Sequence, residues 1–392
     1  MSAESPSILV VDDVPENRDL LMRRLQRLGF SQMDEATNGL EALAAIDSKT
    51  YDLVLLDIMM PELDGFGVLE ALKRDGRIND LPVIVISALN EMDPVVRCIE
   101  LGADDYMFKP FNPTLLRARV LATLEKKGLR DRTREELRRK QMELNEARTL
   151  QLSLLPPPFS ARLAGRPVGV DVLLEPAKEV GGDLVDYFVV GDDLLVLALG
   201  DVSDKGAGSA LMMARTHAML RALSVRPDAP EIFRDPERAA GLVNVALANG
   251  NAGCMFVTFV LASFDAASGR FAYVRAGHIP PYLRRASGEL VRLERLSGPP
   301  LGLDETVSYR PDSLTLGAGD RVLIVTDGFT EAMDAGGALY GDMRVAAFTA
   351  AISPGDAAPL RRLYSEVRAY EEQRPASDDM AAILLTIREA DQ

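Results

Sequence analysis

The chain has no tryptophan, two histidines and two cysteines among its 392 residues. Two histidines are too few for a histidine-rich zinc centre. Cys98 and Cys254 lie far apart and outside any CxxC or Cys/His neighbourhood, which argues against a zinc site or a disulfide framework. Both are expected to be buried and inert. Positive charge is also scarce: 44 Lys and Arg stand against 59 Asp and Glu, a formal charge of −15. That balance argues against nonspecific nucleic-acid binding, which needs a basic face. No run of about 18 apolar residues occurs, so no membrane span is expected. The opening "MSAESPSILVVDD" lacks the basic start and apolar core of a signal peptide. The expectation is a cytoplasmic protein without nucleic-acid or membrane partners. What the chain does have is carboxylate, together with 47% apolar residues. At this length that suits two or three domains, each with its own core.

Residues 1–122 alternate buried strands with amphipathic helices. "ILVVDD", "YDLVLLD", "LPVIVISA" and "DYMFKPF" read as strands, and "ENRDLLMRRLQRLGF" as a helix stopped by Gly29. Continuous apolar strands between such helices predict a parallel, doubly wound sheet, whose ligands sit beyond the carboxyl ends of the strands. Asp12, Asp13, Asp57, Ser87 and Lys109 all fall at such ends. Three neighbouring carboxylates need a cation, and oxygen ligands suit Mg²⁺. A carboxylate can also act as a nucleophile and form an aspartyl phosphate. Lys109 would then pair with phosphoryl oxygens and Ser87 hydrogen-bond to them.

Residues 123–158 are charge-rich and mostly good helix formers. Leu137, Leu144 and Gln151 fall seven apart, a poor coiled-coil seam. Gly128 interrupts it, and "PPPF" ends the helix. Two readings stand: a dimerising signalling helix, or a solvated spacer.

Residues 159–392 carry many short strands joined by turns such as Gly191-Asp192-Asp193 and "AASG". Helical stretches at "SALMMARTHAMLRALS", "PERAAGLVNVALAN" and "APLRRLYSEVRAYEEQ" interrupt them. This predicts antiparallel sheets covered by helices in a layered α+β domain. Asp183, Asp201, Asp327 and the pair Asp378–Asp379 sit at strand ends, most with a glycine nearby that permits close backbone approach. Singly, each is an ordinary turn. Together they form one negative pocket that needs all-oxygen cations, Mg²⁺ or Mn²⁺. Two such ions about 4 Å apart lower the pKa of a bridging water and clamp a phosphoryl group.

"VVDD", "LVLLDIMMPELDGF", "VIVISA" and "DDYMFKPF" together resemble the receiver domain of bacterial response regulators. The resemblance implies a flavodoxin-like α/β fold with Asp57 as phosphoacceptor, phosphorylated by a histidine kinase. It also implies Mg²⁺ held by Asp12, Asp13, Asp57 and the carbonyl of Met59, a switch pair of Ser87 and Tyr106 beside Lys109, and a cis Lys109–Pro110 peptide. In the second block, "VGGDLVDYF", "GDVSDKGAGSALMMA", "FVTFVLASFD", "YVRAGHIPPYL", "GPPLGL", "VTDGFTEA" and "SDDMAAILL" resemble, in order, the SpoIIE/RsbU-like branch of the PPM metal-dependent serine/threonine phosphatases. That resemblance implies a β-sandwich with two Mn²⁺ or Mg²⁺ ions. Asp201 would bridge both, with the carbonyl of Val202 on one, Asp327 and Asp378 on the other, and Asp183 on a metal or its water. Asp379 would be a further ligand or a neighbour. The attacking group would be a metal-bound water held by Asp183, Asp201, Asp327 and Asp378. The implied substrate is a phosphorylated STAS-type anti-sigma-factor antagonist, and the implied assembly a homodimer through the linker.

"GGDLVD" also invites comparison with the GGDEF turn of nucleotide cyclases, but the glutamate and phenylalanine are absent and no βαββ context surrounds it. Two further readings compete with the phosphatase: a non-catalytic adaptor, disfavoured by the intact carboxylate set, and a DNA-binding regulator, disfavoured by charge and by the lack of a basic recognition helix. Asp204 stands where many relatives have glycine, and Ala381 where many have threonine. His217 is expected in the core or at a partner surface. His278 reads as a loop-holding residue, with a proton donor to the leaving serine as the rival role. Lys178 and Lys205 would either attract a phosphoprotein or stay solvated.

Overall fold

The computed structural model describes residues 5–87, 92–110, 112–353, 355–372 and 374–389. It divides into two compact units, Met1–Lys140 and Gln141–Gln392. No helix among the described residues is long and apolar enough to cross a membrane.

In the first unit, strands β1 (Ser7–Val11), β2 (Gln32–Ala36), β3 (Leu53–Asp57), β4 (Val83–Ser87) and β5 (Asp105–Phe108) alternate with helices α1 (Pro15–Arg27), α2 (Gly39–Ser48), α3 (Gly65–Arg74) and α4 (Met92–Leu101). The sheet order is β2-β1-β3-β4-β5, and every pairing is parallel. Every residue of β1, β3 and β4 is buried. Their alternate side chains feed two cores, one around Leu9, Val54 and Val83, the other around Ile8, Leu53 and Ile84. That is why these strands read as unbroken apolar runs. The edge strand β2 (QMDEA) is exposed or half-buried apart from Ala36 and has no such run. Asn38 and Asp64 cap α2 and α3 by accepting from the N–H groups of Glu41 and Gly67.

Helix α5 (Pro113–Leu152) runs unbroken for 40 residues, through Gly128 and across the boundary between the units. Leu116 and Val120 are buried in the first unit's core, whereas Leu129 and Leu137 are 58% and 63% exposed. The helix stops before the prolines at 156–158.

The second unit contains β6 (Phe159–Leu163), β7 (Arg166–Glu175), β8 (Leu184–Val190), β9 (Leu194–Val202), β10 (Val257–Asp265), β11 (Arg270–Ala276), β12 (Tyr282–Arg284), β13 (Leu290–Arg292), β14 (Asp312–Thr315), β15 (Arg321–Val325) and β16 (Met380–Ile387). They form two antiparallel sheets, β14-β11-β10-β9-β8 and β13-β12-β15-β16-β7-β6. Helices α6 (Ala207–Ser224), α7 (Ala229–Arg234) and α8 (Pro236–Ala248) cover the first sheet; α9 (Asp327–Thr330), α10 (Gly341–Ala351) and α11 (Pro359–Tyr370) cover the second. The result is a helix–sheet–sheet–helix sandwich. Strand β9 sends Leu195, Leu197 and Leu199 between the sheets, and Leu194, Val196 and Ala198 toward the helices. Strand β16 divides the same way, with Ile383 and Leu385 inward and Ala382 and Leu384 under the helices. The expectation of two buried cysteines needs correction: Cys98 is buried, but Cys254 is exposed in the loop between α8 and β10, at φ +51°.

Candidate metal centres and active site

In the first unit, the order of the sheet reverses between β1 and β3, which opens a crevice at the carboxyl ends of these strands. Asp12 follows β1 and Asp57 ends β3; both are buried. Asp12 Oδ1 accepts from Val14 N–H and Asn17 Nδ2, each at 3.0 Å. Asp57 Oδ1 accepts from Ile58 N–H at 2.8 Å. The ammonium of Lys109 donates to Asp12 Oδ2 at 2.7 Å and to Asp57 Oδ2 at 2.6 Å. Asp12, Asp13 and Asp57 each bring one carboxylate oxygen within 4.8 Å of the others. Burial raises the pKa of Asp57 and outweighs the opposing pull of Lys109. Burial alone would lower the pKa of Lys109, but its bonds to the two carboxylates raise it. The lysine is therefore firmly cationic and fixed at the carboxylate it would serve.

Ser87 ends β4 and is buried, while Tyr106 is half-buried with its ring edge-on to Phe108, centroids 5.4 Å apart. Both border a gap of about 10 Å³ that also touches Ile58 and Cys98. Met59 lies in the bend after β3 and is 60% exposed. The Lys109–Pro110 peptide is cis.

In the second unit, the carboxylates gather at one end of the sandwich. Asp183 immediately precedes β8, Asp201 is the penultimate residue of β9, Asp327 follows β15 as the first residue of α9, and Asp378 and Asp379 precede β16. Asp183 is completely buried, and burial, then the charges of Asp201 and Asp379, push its carboxyl well above the usual range. Burial, then Asp327 and Asp378, push Asp201 up to about 7, although a hydrogen bond with Asp183 pulls the other way. Asp327 is raised by burial, then by Glu331 and Asp378. Lys205 lies 2.9 Å from Asp378 Oδ2 and brings a positive charge to this neighbourhood. The pocket is thus short of positive charge, and its donors are oxygens, which fits hard divalent ions. It is wider than the N-terminal cluster: among the described residues, only Asp12, Asp13 and Asp57 meet the 4.8 Å spacing.

Asp379 has a different setting from Asp378. Its Oδ1 and Oδ2 accept from the N–H groups of Ala177 and Gly182 at 2.8 and 2.7 Å, so the carboxylate holds the turn that carries Asp183. A Cβ on Gly181 would stand 2.3 Å from Asp379 Oδ2, and one on Gly328 would stand 1.9 Å from the Asp379 carbonyl oxygen. These contacts are the local reason for glycine in "GGD" and "TDG".

Two supporting residues were not singled out from the sequence as parts of this site. Thr326 Oγ1 donates to Asp183 Oδ2 and accepts from Ala381 N–H, both at 2.9 Å, and all three residues are buried. A hydroxyl directly ahead of Asp327 was the available signal. Gln151, read as part of a heptad seam, is buried instead. Its amide donates to Gly181 O at 2.8 Å and accepts from Gly181 N–H at 3.0 Å. Asp204 sits at φ +72°, a left-handed conformation that glycine takes freely and aspartate tolerates. His278 is buried, with Nδ1 3.0 Å from Ile279 O; burial lowers its pKa to about 4, so the ring is neutral. His217 lies 3.4 Å from the fully buried Asp186, which Arg221 grips with two nitrogens.

The folds and pockets define a class: a receiver-type α/β unit followed by a PP2C-type phosphatase sandwich. Residues 191–388, half of the chain, match the family described as Stage II sporulation protein E (SpoIIE), and residues 8–121 match the response regulator receiver domain. The chain belongs to the SpoIIE family and carries a receiver domain ahead of its phosphatase-type domain. The SiaA-PP2C domain of Pseudomonas aeruginosa shares the fold, with TM-score 0.53 and 20% identity over 65% of this chain and 99% of that one. Protein IcfG of a Synechocystis species is 28% identical over 226 residues, covering 52% of this chain and 35% of IcfG. "Probable transcriptional regulator ycf27" of Cyanidium caldarium is 42% identical over 119 residues, covering 30% of this chain. This chain spans 46% of the length of that relative.

Proposed function

We propose that the protein is a response regulator whose output is metal-dependent hydrolysis of phosphoserine or phosphothreonine on another protein, under the control of Asp57. The observation that carries this reading is the convergence of Asp183, Asp201, Asp327 and Asp378, where burial, then the charges of Asp327 and Asp378, lift Asp201 to about 7. Acids left so strained without a cation are a candidate functional site, not a structural ion pair. Divalent ions bound there, two Mn²⁺ or Mg²⁺, would supply a water of lowered pKa and positive charge for the phosphoryl oxygens. Asp201, Asp327, Asp378, Asp183 and the Val202 carbonyl would hold these ions. Thr326 keeps the Asp183 carboxylate aimed, and Asp379 keeps its turn in place. Lys205 neutralises Asp378 at the rim.

At the other site, Asp12 and Asp13 would hold Mg²⁺ with the carbonyl of Met59. A carboxylate oxygen of Asp57 would take the phosphoryl group from the phosphohistidine of a kinase, forming an O–P bond as the N–P bond breaks. Lys109 would meet the new negative charge, and Ser87 and Tyr106 would report it. The substrate class that this reading favours is a phosphorylated STAS-type protein in the cytoplasm. The exposed leucines of α5 suit pairing with a second copy.

The test is release of phosphate from a phosphorylated STAS-domain protein with Mn²⁺. Asp201→Asn should lose roughly 100-fold or more in rate, the scale of removing a principal electrostatic element. An Asp201→Asn protein as active as the parent would overturn the reading. With the parent active, acetyl phosphate should change the rate in a way that Asp57→Asn abolishes.

A further inference from the structure

At the end of the second sheet remote from the acidic pocket lies a cavity of about 420 Å³. Arg284, Arg321 and Arg388 line it, with Thr386, Asp356 and Glu389. The first two arginines are direct cross-strand partners, and Arg321 is also opposite Thr386. Like charges placed directly opposite destabilise a sheet unless something lies between them. Arg321 is only 5% exposed. Its Nη1 donates to Ile352 O at 2.6 Å, Arg284 Nε donates to Ala350 O at 2.9 Å, and Arg388 Nη1 donates to Ser160 Oγ at 3.0 Å.

The carboxylates nearby are committed elsewhere. Asp356 is held by Arg362 at 2.7 Å, and Asp320, next to Arg321 in the chain, is held by Arg285 at 2.8 Å. Among the described residues, none of the three arginines lies in an ion pair. Glu389, at the rim, is the remaining lining carboxylate, which leaves three guanidiniums against one acid. Burial, then the neighbouring charge of Arg284, lower the pKa of Arg321, against a smaller upward pull from Asp356. A nearly buried guanidinium with open donors, lining a cavity beside another, suits the oxygens of a phosphate group. The volume falls within the range of small-molecule sites, about 300–1,000 Å³. A surplus of two positive charges suits a phosphate monoester, which is close to dianionic at neutral pH.

We propose that this cavity binds a phosphate-bearing small molecule at a site separate from the metal pocket. Arg321 and Arg284 grip the phosphate, and Arg388 and Thr386 complete the cradle. Six residues of extended chain, about 20 Å, separate Arg321 from Asp327, so occupancy here leaves the acidic pocket free.

Calorimetric titration of the full chain in EDTA, at constant ionic strength, tests it with inorganic phosphate, pyrophosphate and AMP as probes. Removing divalent ions leaves the acidic pocket repulsive to all three. One probe or more should saturate one site per chain. Arg284→Ala, at a half-buried position, and Arg321→Met should each weaken binding roughly tenfold or more, whereas Asp201→Asn should leave it unchanged. Tighter binding of AMP than of inorganic phosphate identifies an ester as the ligand; equal binding identifies the free anion. Failure of all three probes to bind overturns the proposal. So does binding that survives Arg284→Ala in a protein that melts like the parent, or that is lost in Asp201→Asn.

Discussion

Replacing Gly181 with alanine should damage the phosphatase unit through one carboxylate. The new Cβ would lie 2.3, 2.7 and 2.9 Å from Oδ2, Cγ and Oδ1 of Asp379, and the carboxylate must move out of the way. Doing so breaks its bonds to Gly182 N–H and Ala177 N–H. A hydrogen bond to a charged group contributes about 1.5–3 kcal/mol. Water can replace part of each bond in this half-buried turn, so the expected cost is about 2–4 kcal/mol. In a unit of this size each kcal/mol lowers the melting temperature by about 2–4 °C, giving a fall of roughly 5–15 °C. Gly181 does not need a left-handed backbone, so the penalty is contact alone. Scanning calorimetry of the full chain would read it, with the N-terminal transition as internal reference. Asp379→Ala removes the obstructing group, so the double variant Gly181→Ala/Asp379→Ala should cost little more than Asp379→Ala by itself. Melting of Gly181→Ala within about 1 °C of the parent, or fully additive costs in the double variant, would refute the reasoning.

Thr326→Val keeps shape but deletes the hydroxyl between Asp183 and Ala381; leaving that buried N–H without a partner should cost about 1–3 kcal/mol in urea unfolding, and Thr326→Ser should recover most of it. His278 has a folded pKa of about 4 against an ordinary 6.5. Its folded pKa is depressed, so its neutral form supports the fold fully above pH 6.5, and that support drains away as pH falls toward 4. At about 1.4 kcal/mol per pKa unit, the loss approaches ~3 kcal/mol; His278→Asn should flatten that part of the stability–pH curve, and an unchanged curve would contradict the assignment. Gly128→Ala, inside α5 with nothing within 4 Å of the added carbon, should raise stability by up to about 1 kcal/mol, read as a higher thermal midpoint; a lower one would show that the glycine is needed.

The strands with buried side chains were legible in the sequence, whereas of the exposed or short ones β5 was read from "DYMFKPF" and others were not. β1, β3, β4, β9 and β16 announce themselves because helices or a second sheet hide both faces. β2, with its exposed QMDEA, and the short β13 and β14 carry no periodicity that separates them from loops. Helix α10 was missed for the same reason: its apolar residues form no clean stripe, since Val345 and Phe348 alone point firmly inward among alanines. At the candidate site, acids at strand ends could be named one by one. Their division of labour could not, because Asp378 and Asp379 are adjacent in the chain and differ only in what surrounds them. Gln151 was placed on a helix seam by its heptad spacing; a spacing rule cannot see a glycine thirty residues away.

The double-sided burial of β9 and β16 has an outcome for how this domain can change over generations. Neither strand has a solvent-facing row on which a charge could be tried cheaply, so an interior substitution is judged by folding before it is judged by chemistry. New reactivity can arise only where these rails emerge from the sandwich, and old reactivity can be lost there without the scaffold noticing. A descendant that has given up the acidic pocket would therefore keep the same apolar strands and betray itself at a handful of terminal positions.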